Sequence, residues 1–139
     1  MTENKFSKEL VIDCTGGVLG RIAAHAAKQS LFGKSVFIIN CNEALITGSK
    51  AVTVEKYKHA RSRGGSAQKG PFLTKNPERI MKRTIRGMLS YKQGRGLAAY
   101  KRVICYNGVP AELESKEKIN LKKEIKLKAI TLKDLGRWM

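Results

Sequence analysis

The chain is expected to fold as an α/β domain, and two observations carry that expectation. Residues 10–14 (LVIDC), 35–40 (SVFIIN) and 102–106 (RVICY) are short, apolar, β-branched runs. Unbroken runs suit strands of a sheet covered on both faces, whereas a half-exposed strand alternates apolar with polar. Between the first two runs, residues 18–30 place Leu19, Ile22, Ala23, Ala26 and Ala27 at helical spacing. Strand, helix and strand within about thirty residues make a βαβ unit, with parallel strands and a right-handed crossover.

Taken in order, Thr15-Gly16-Gly17 is a turn into the first helix, whose other side carries Arg21, His25 and Lys28. Gly33 suits the C-terminal cap, where a left-handed residue closes the last turn. Residues 44–47 (ALIT) read as a further short strand, and Gly48-Ser49 turns into a helix over 50–63 with Val52, Val54 and Tyr57. Residues 61–74 (RSRGGSAQKGPFLT) have no periodicity and form an irregular basic loop. A loop of that length inside a compact domain usually serves function.

Residues 76–92 (NPERIMKRTIRGMLSYK) read as one helix with two opposed faces. Asn76 suits the N-cap, with its side chain accepting from the first turn, and Pro77 suits the first helical position. Glu78 places a negative charge at the positive end of the dipole. Arg79, Lys82, Arg83 and Arg86 fall on one stripe at i, i+3, i+4 and i+7, and Ile80, Met81, Ile85, Met88 and Leu89 fall opposite. Like charges at this spacing destabilise a helix, so a stripe with no acid among them calls for an anionic partner. Residues 92–96 (KQGRG) are a second basic turn, and 97–101 form a short helix. Residues 107–110 (NGVP) break the chain, and 116–128 read as either extended or a surface segment. Thr131 caps a last short helix, in which Leu132, Leu135 and Trp138 make an apolar side; Trp138 reads as an anchor of the tail to the body, with stacking on a base as the alternative.

The 139 residues fit a single domain, and their formal net charge is +17. That excess points to a polyanionic partner, nucleic acid first and an acidic membrane surface second. It is also segregated. Residues 50–102 hold fifteen Lys/Arg against two Asp/Glu, a net +13, whereas residues 1–49 net +1 and 103–139 net +3. A basic binding segment thus sits within a nearly neutral frame. Tyr57, Phe72, Tyr91 and Tyr100 are interleaved with its cations. An irregular basic loop follows the contour of folded RNA better than a regular DNA groove, which favours structured RNA.

Other chemistries find little support. Cys14, Cys41 and Cys105 are odd in number and show no metal-ligand spacing, so buried free thiols in a reducing cytosol are expected. The N-terminal residues lack the pattern of a secretory signal, and no apolar run approaches a membrane span. His25 and His59 have no evident catalytic partners, and no paired carboxylates occur in the basic centre. The run Gly16-Gly17-Val18-Leu19-Gly20 lies where a dinucleotide-binding loop would, but its pattern is G-G-x-x-G. A nucleotide-binding α/β enzyme built on that turn is the alternative from another class. Gly33-Lys34-Ser35 resembles the end of a phosphate-binding loop but leaves a helix instead of entering one.

Several stretches together are familiar: IDCTGGVLGRIAAHAAKQ, VFIINCNEALITGSK, KYKHARSRG, GPF, NPERIMKRTIRGML and YNGVPAEL. They closely resemble the large-subunit ribosomal protein L13 family, in its archaeal and eukaryotic-like branch, over residues 10–113. The resemblance implies a three-layer α/β/α fold around a four-stranded parallel sheet, with 1–139 one domain, 50–102 its RNA-binding segment and 115–139 a loosely matched tail. It implies no enzyme activity, no cofactor and no metal. It implies a structural role in the cytoplasmic ribosome, binding large-subunit ribosomal RNA beside neighbouring large-subunit proteins and joining early in assembly, with no membrane, small-molecule substrate or homo-oligomer. A regulator of translation that binds RNA is the related alternative. The candidate contacts are Lys58, with Arg61, Arg63, Lys69 and Lys75 in and around the loop. The helix adds Arg79, Lys82, Arg83 and Arg86, and the next turn Lys92, Arg95, Lys101 and Arg102. The family usually has proline where this chain has Ser90.

Overall fold

The computed structural model describes residues 9–63, 73–124 and 126–138. A four-stranded sheet is built from β1 (Glu9–Asp13), β2 (Ser35–Ile39), β4 (Val103–Cys105) and β5 (Lys118–Asn120), in the order β4-β2-β1-β5. All its pairings are parallel, with Val11 opposite Phe37 and Lys118, and Phe37 opposite Ile104. The expected βαβ unit is present, with α1 (Leu19–Leu31) crossing between β1 and β2.

Side chains alternate between the two faces of the sheet. Ile12, Val36, Ile38 and Val103 point into the main core, against Ile22, Ala23 and Ala26 of α1. Also in this core are Ile80, Met81 and Ile85 of α3 (Pro77–Gly87) and Ala99 of α4 (Gly94–Lys101). The opposite face has a smaller cluster of Val11, Ile39 and Leu113, flanked by Phe37 and Tyr106. Leu113 comes from the one-turn α5 (Ala111–Glu114). One layer is therefore thick and the other thin.

The ALIT run is a strand, β3 (Leu45–Thr47), but it does not join the main sheet. It pairs antiparallel with β6 (Ala129–Thr131) in a separate two-stranded ribbon. The chain turns out of the sheet at Asn40, in the left-handed region at φ 55°, and passes through a short 3-10 turn, Cys41–Glu43. The fourth strand of the sheet is instead β5, from the stretch whose reading lay open between extended and surface segment. α2 (Lys50–Ser62) matches expectation, and α6 (Leu132–Trp138) closes the described chain.

Three helix ends differ from the sequence reading. Asn76 occupies the N-cap position of α3, but its side chain makes no capping bond. The Glu78 amide donates instead to Oδ1 of Asn107, at 3.0 Å, from the loop after β4. The same helix stops at Gly87 and does not run to residue 92. Met88 and Leu89 donate to Ile85 and Arg86 in tight turns, and Gln93 donates to Ser90. A Cβ on Gly96 would stand 2.0 Å from the Ser90 carbonyl oxygen, so this turn folds directly onto the start of α4. That helix accordingly begins at Gly94, three residues earlier than expected. At the end of α1, Gly33 has φ +94° and Lys34 donates to Gln29, the left-handed closure that the sequence suggested.

Candidate nucleic-acid interface

Helix α3 positions the centre of the site. Its Ile80, Met81 and Ile85 are buried, which fixes the rotation of the helix and turns Arg79 and Arg83 outward. None of Arg79, Arg83 and Arg86 pairs with a carboxylate among the described residues; the ion pair found there joins Lys116 to Glu9. Arg86 is held by an aromatic face, with its guanidinium carbon 5.0 Å from the centre of the Tyr91 ring. Such stacking fixes the plane of the guanidinium while leaving its edge donors free.

Lys82 behaves differently from its neighbours on the stripe. Its ammonium donates to the Tyr100 carbonyl, at 2.6 Å, and to the Val103 carbonyl. It also lies 4.1 Å from the centre of the Tyr100 ring. Burial pulls its pKa below the usual lysine range, against a smaller opposing effect of Cys105. The lysine thus ties α3 to the end of α4 and the last strand-forming segment before Asn107. Arg102 is likewise turned inward, with Nη1 donating to the Ser30 carbonyl at 2.8 Å. Thirteen cations look equivalent by charge, but these two act within the fold.

Two clefts adjoin α3. One, of about 230 Å³, is lined by Leu73, Thr74, Arg79, Ile80, Lys82, Arg83, Arg86 and Tyr100. The other, of about 280 Å³, lies between α2 and α3, where Lys56, Tyr57 and Ala60 face Arg83, Thr84 and Gly87. Burial pushes the Tyr57 hydroxyl up, and the nearby Arg83 charge partly offsets it. Lys92, Arg95 and Lys101 are exposed on the turn and helix that follow α3. Lys58, Arg61 and Arg63 are exposed on α2 and at its end, and Lys75 is exposed just before α3. Lys69 and Phe72, with most of the basic loop, lie outside the described residues. Sequence reasoning missed the orienting roles of Tyr91 and Tyr100 and the cap supplied by Asn107. The only signal was aromatic residues interleaved with cations, which does not say which cation each ring holds.

The other motifs are accounted for by the fold. Gly16 has φ +71°, and a Cβ there would stand 3.0 Å from Lys122 Cδ. A Cβ on Gly17 would stand 2.7 Å from Ile22 Cδ1, while the Gly17 carbonyl accepts from Leu45 at 2.8 Å. Asp13, just before the turn, accepts from the Thr15 amide, the Thr15 hydroxyl and the Asn40 amide group. The glycine turn is thus engaged by the protein's own groups. The three cysteines are free; Cys14 and Cys41 are buried and Cys105 is half-buried. A hydrogen bond with Cys41 and burial both push the Cys105 thiol up, so it stays protonated and weakly nucleophilic. Among the described residues no group of His, Cys, Asp or Glu is arranged to hold a metal ion. No described helix is long and apolar enough to cross a membrane.

Comparison with known proteins adds an independent finding. A sequence model of the family described as ribosomal protein L13 matches residues 7–112. The chain is similar to the large ribosomal subunit protein uL13 of Methanosarcina barkeri, with 48% identity over 112 residues that span 80% of this chain and 79% of that protein. Its counterpart in Archaeoglobus fulgidus is 43% identical over 135 residues, 93% of this chain and 86% of its own. The Natronomonas pharaonis protein of the same name is 37% identical over 137 residues, 98% and 94% of the two chains.

Proposed function

Since the chain belongs to the ribosomal protein L13 family, we propose that it is a structural protein of the large ribosomal subunit that binds the subunit's RNA through α3 and the turn after it. The observation that carries this reading is the row Arg79, Arg83 and Arg86, unpaired with any described carboxylate and rigidly backed by the core. Guanidinium groups fit phosphate oxygens two at a time, and a stacked guanidinium is already oriented to do so. Lys92, Arg95 and Lys101 extend the row around the next turn. Arg61 and Arg63 at the end of α2, Lys75 just before α3 and Lys58 on the outer side of α2 are further exposed cations. Contacts of this type supply affinity and register and carry little base readout. The role is therefore to neutralise phosphates where RNA segments approach each other. In this reading the chain acts in the cytoplasm, beside neighbouring large-subunit proteins, and joins the subunit early.

The test reverses the charge of the two central arginines. Arg83→Glu with Arg86→Glu should abolish retention of a large-subunit RNA transcript in a gel shift while leaving the circular dichroism spectrum intact. Both side chains project from the core, so folding is expected to survive. Undiminished binding by the folded double variant would refute the reading.

A further inference from the structure

A third groove lies on the far side of α2, away from α3. It measures about 500 Å³ and is lined by Lys50, Ala51, Val54, Glu55 and Lys58 of α2 and by Trp138 of α6. The α2 residues stand at i, i+1, i+4, i+5 and i+8, which is one face of a helix. Helix α2 is weakly anchored: of its thirteen residues only Thr53 is fully buried, and Val52 is 66% exposed. Tyr57 and Ala60 face the cleft toward α3, so the flank toward Trp138 is a second, separate surface.

Trp138 was expected to anchor the tail, and the structure corrects this. Leu132 and Leu135 are the anchors, at 0% exposure, while Trp138 remains 50% exposed. Its ring carries the Lys50 ammonium 4.0 Å from the centroid. A large, flat, half-open indole beside an apolar groove, with lysines at either end, is suited to a planar group attached to an anion.

We propose that this groove receives one unpaired nucleobase of the bound RNA, stacked on Trp138, with the adjoining phosphates on Lys50 and Lys58. The proposal rests on the RNA-binding reading above and extends it to a face outside the arginine row. Charge complementarity selects the occupant: the groove's two lysines lie on the same helix whose opposite flank faces Arg83. The Lys50 ammonium, now over the ring, moves to a phosphate as the base enters. Glu55 in the lining can accept from an exocyclic amino group, which favours adenine or cytosine over uracil.

Trp138 is the chain's single tryptophan, so its fluorescence reports on this groove alone. The intact protein is titrated with single-stranded oligoadenylate and with a large-subunit RNA transcript, and binding is followed in parallel by filter retention. Indole emission should be quenched and saturate together with retention. Trp138→Ala should weaken oligoadenylate binding about tenfold, with Trp138→Phe intermediate. Retention of both RNAs with unchanged emission would overturn the groove proposal and leave the arginine-row reading standing. No retention of either RNA by the intact protein would overturn both. An emission change that occurs only on adding other large-subunit proteins would reassign the groove to a protein partner and overturn the proposal.

Discussion

Lys82 and Arg83 are adjacent, equally charged and on the same stripe, yet they do different work. Lys82 gives its ammonium to the Tyr100 and Val103 carbonyls, at the end of α4, where a cation also meets the negative end of the helix dipole. Lys82→Ala leaves both acceptors without that donor and should lower stability by about 1–3 kcal/mol, read as a reduced urea midpoint. Arg83→Ala should leave the midpoint nearly unchanged and weaken RNA binding. The opposite pattern would return Lys82 to the binding surface. Periodicity could not separate the two, because it gives an azimuth on the helix and not the position of a carbonyl on another element. Asp13 supplies a pH test at the same scale. Burial raises its pKa, but the bonds from Thr15 and Asn40 outweigh it and hold the carboxyl below its ordinary value of 3.8. Its folded pKa is below its unfolded one, so its contribution is complete above pH 3.8 and is lost as pH falls through the folded value. Asp13→Asn should therefore lower the urea midpoint at pH 6, with the difference from the parent shrinking below pH 3.8.

Among the elements, α3 shows how far local rules reach. Its existence, its start at Pro77 and its buried face were legible from residues alone, because a strong 3.6-residue apolar repeat dominates weaker signals. Its cap was not, since the donor at Glu78 is satisfied by Asn107, which lies 29 residues away in sequence. Asn107→Ala should destabilise by about 1 kcal/mol, and Asn76→Ala by much less. Equal losses, measured by chemical denaturation, would restore the local cap. The helix end was equally hidden. Met88 and Leu89 continue the apolar repeat past Gly87, but the close approach of Gly96 to the Ser90 carbonyl requires a turn. The short strands β5 and β6 lack any sustained pattern, so only their long-range pairing identifies them, and for β3 it is the pairing that places the run outside the main sheet. Similarly, the groove beside Trp138 joins residues 50–58 to the last helix and had no sequence signature.

At the scale of the whole molecule, the charge separation seen along the chain becomes a separation in space. The arginine row lies on the thick helical layer with no described carboxylate paired to it, while on the thin side of the sheet Glu9, Glu112 and Glu114 are exposed and Glu9 is paired with Lys116, so the charge there is mixed. A molecule so divided meets a polyanion in one orientation, and its affinity should be governed by counterion release. If about six cations meet phosphates, log K should fall with log[salt] at a slope of roughly −5, taking about −0.9 per phosphate from duplex DNA. Replacing Arg83 and Arg86 with Gln should make that slope shallower by about two units, since two phosphate contacts are removed. The inward-turned lysine gives the internal control: Lys82→Met should lower stability but leave the slope where it was, because an ammonium held by carbonyls releases no counterion when RNA binds. A slope near zero for the parent protein would remove electrostatics as the mechanism. A slope changed equally by Lys82→Met and by each arginine substitution would show that the lysine leaves its carbonyls to join the RNA.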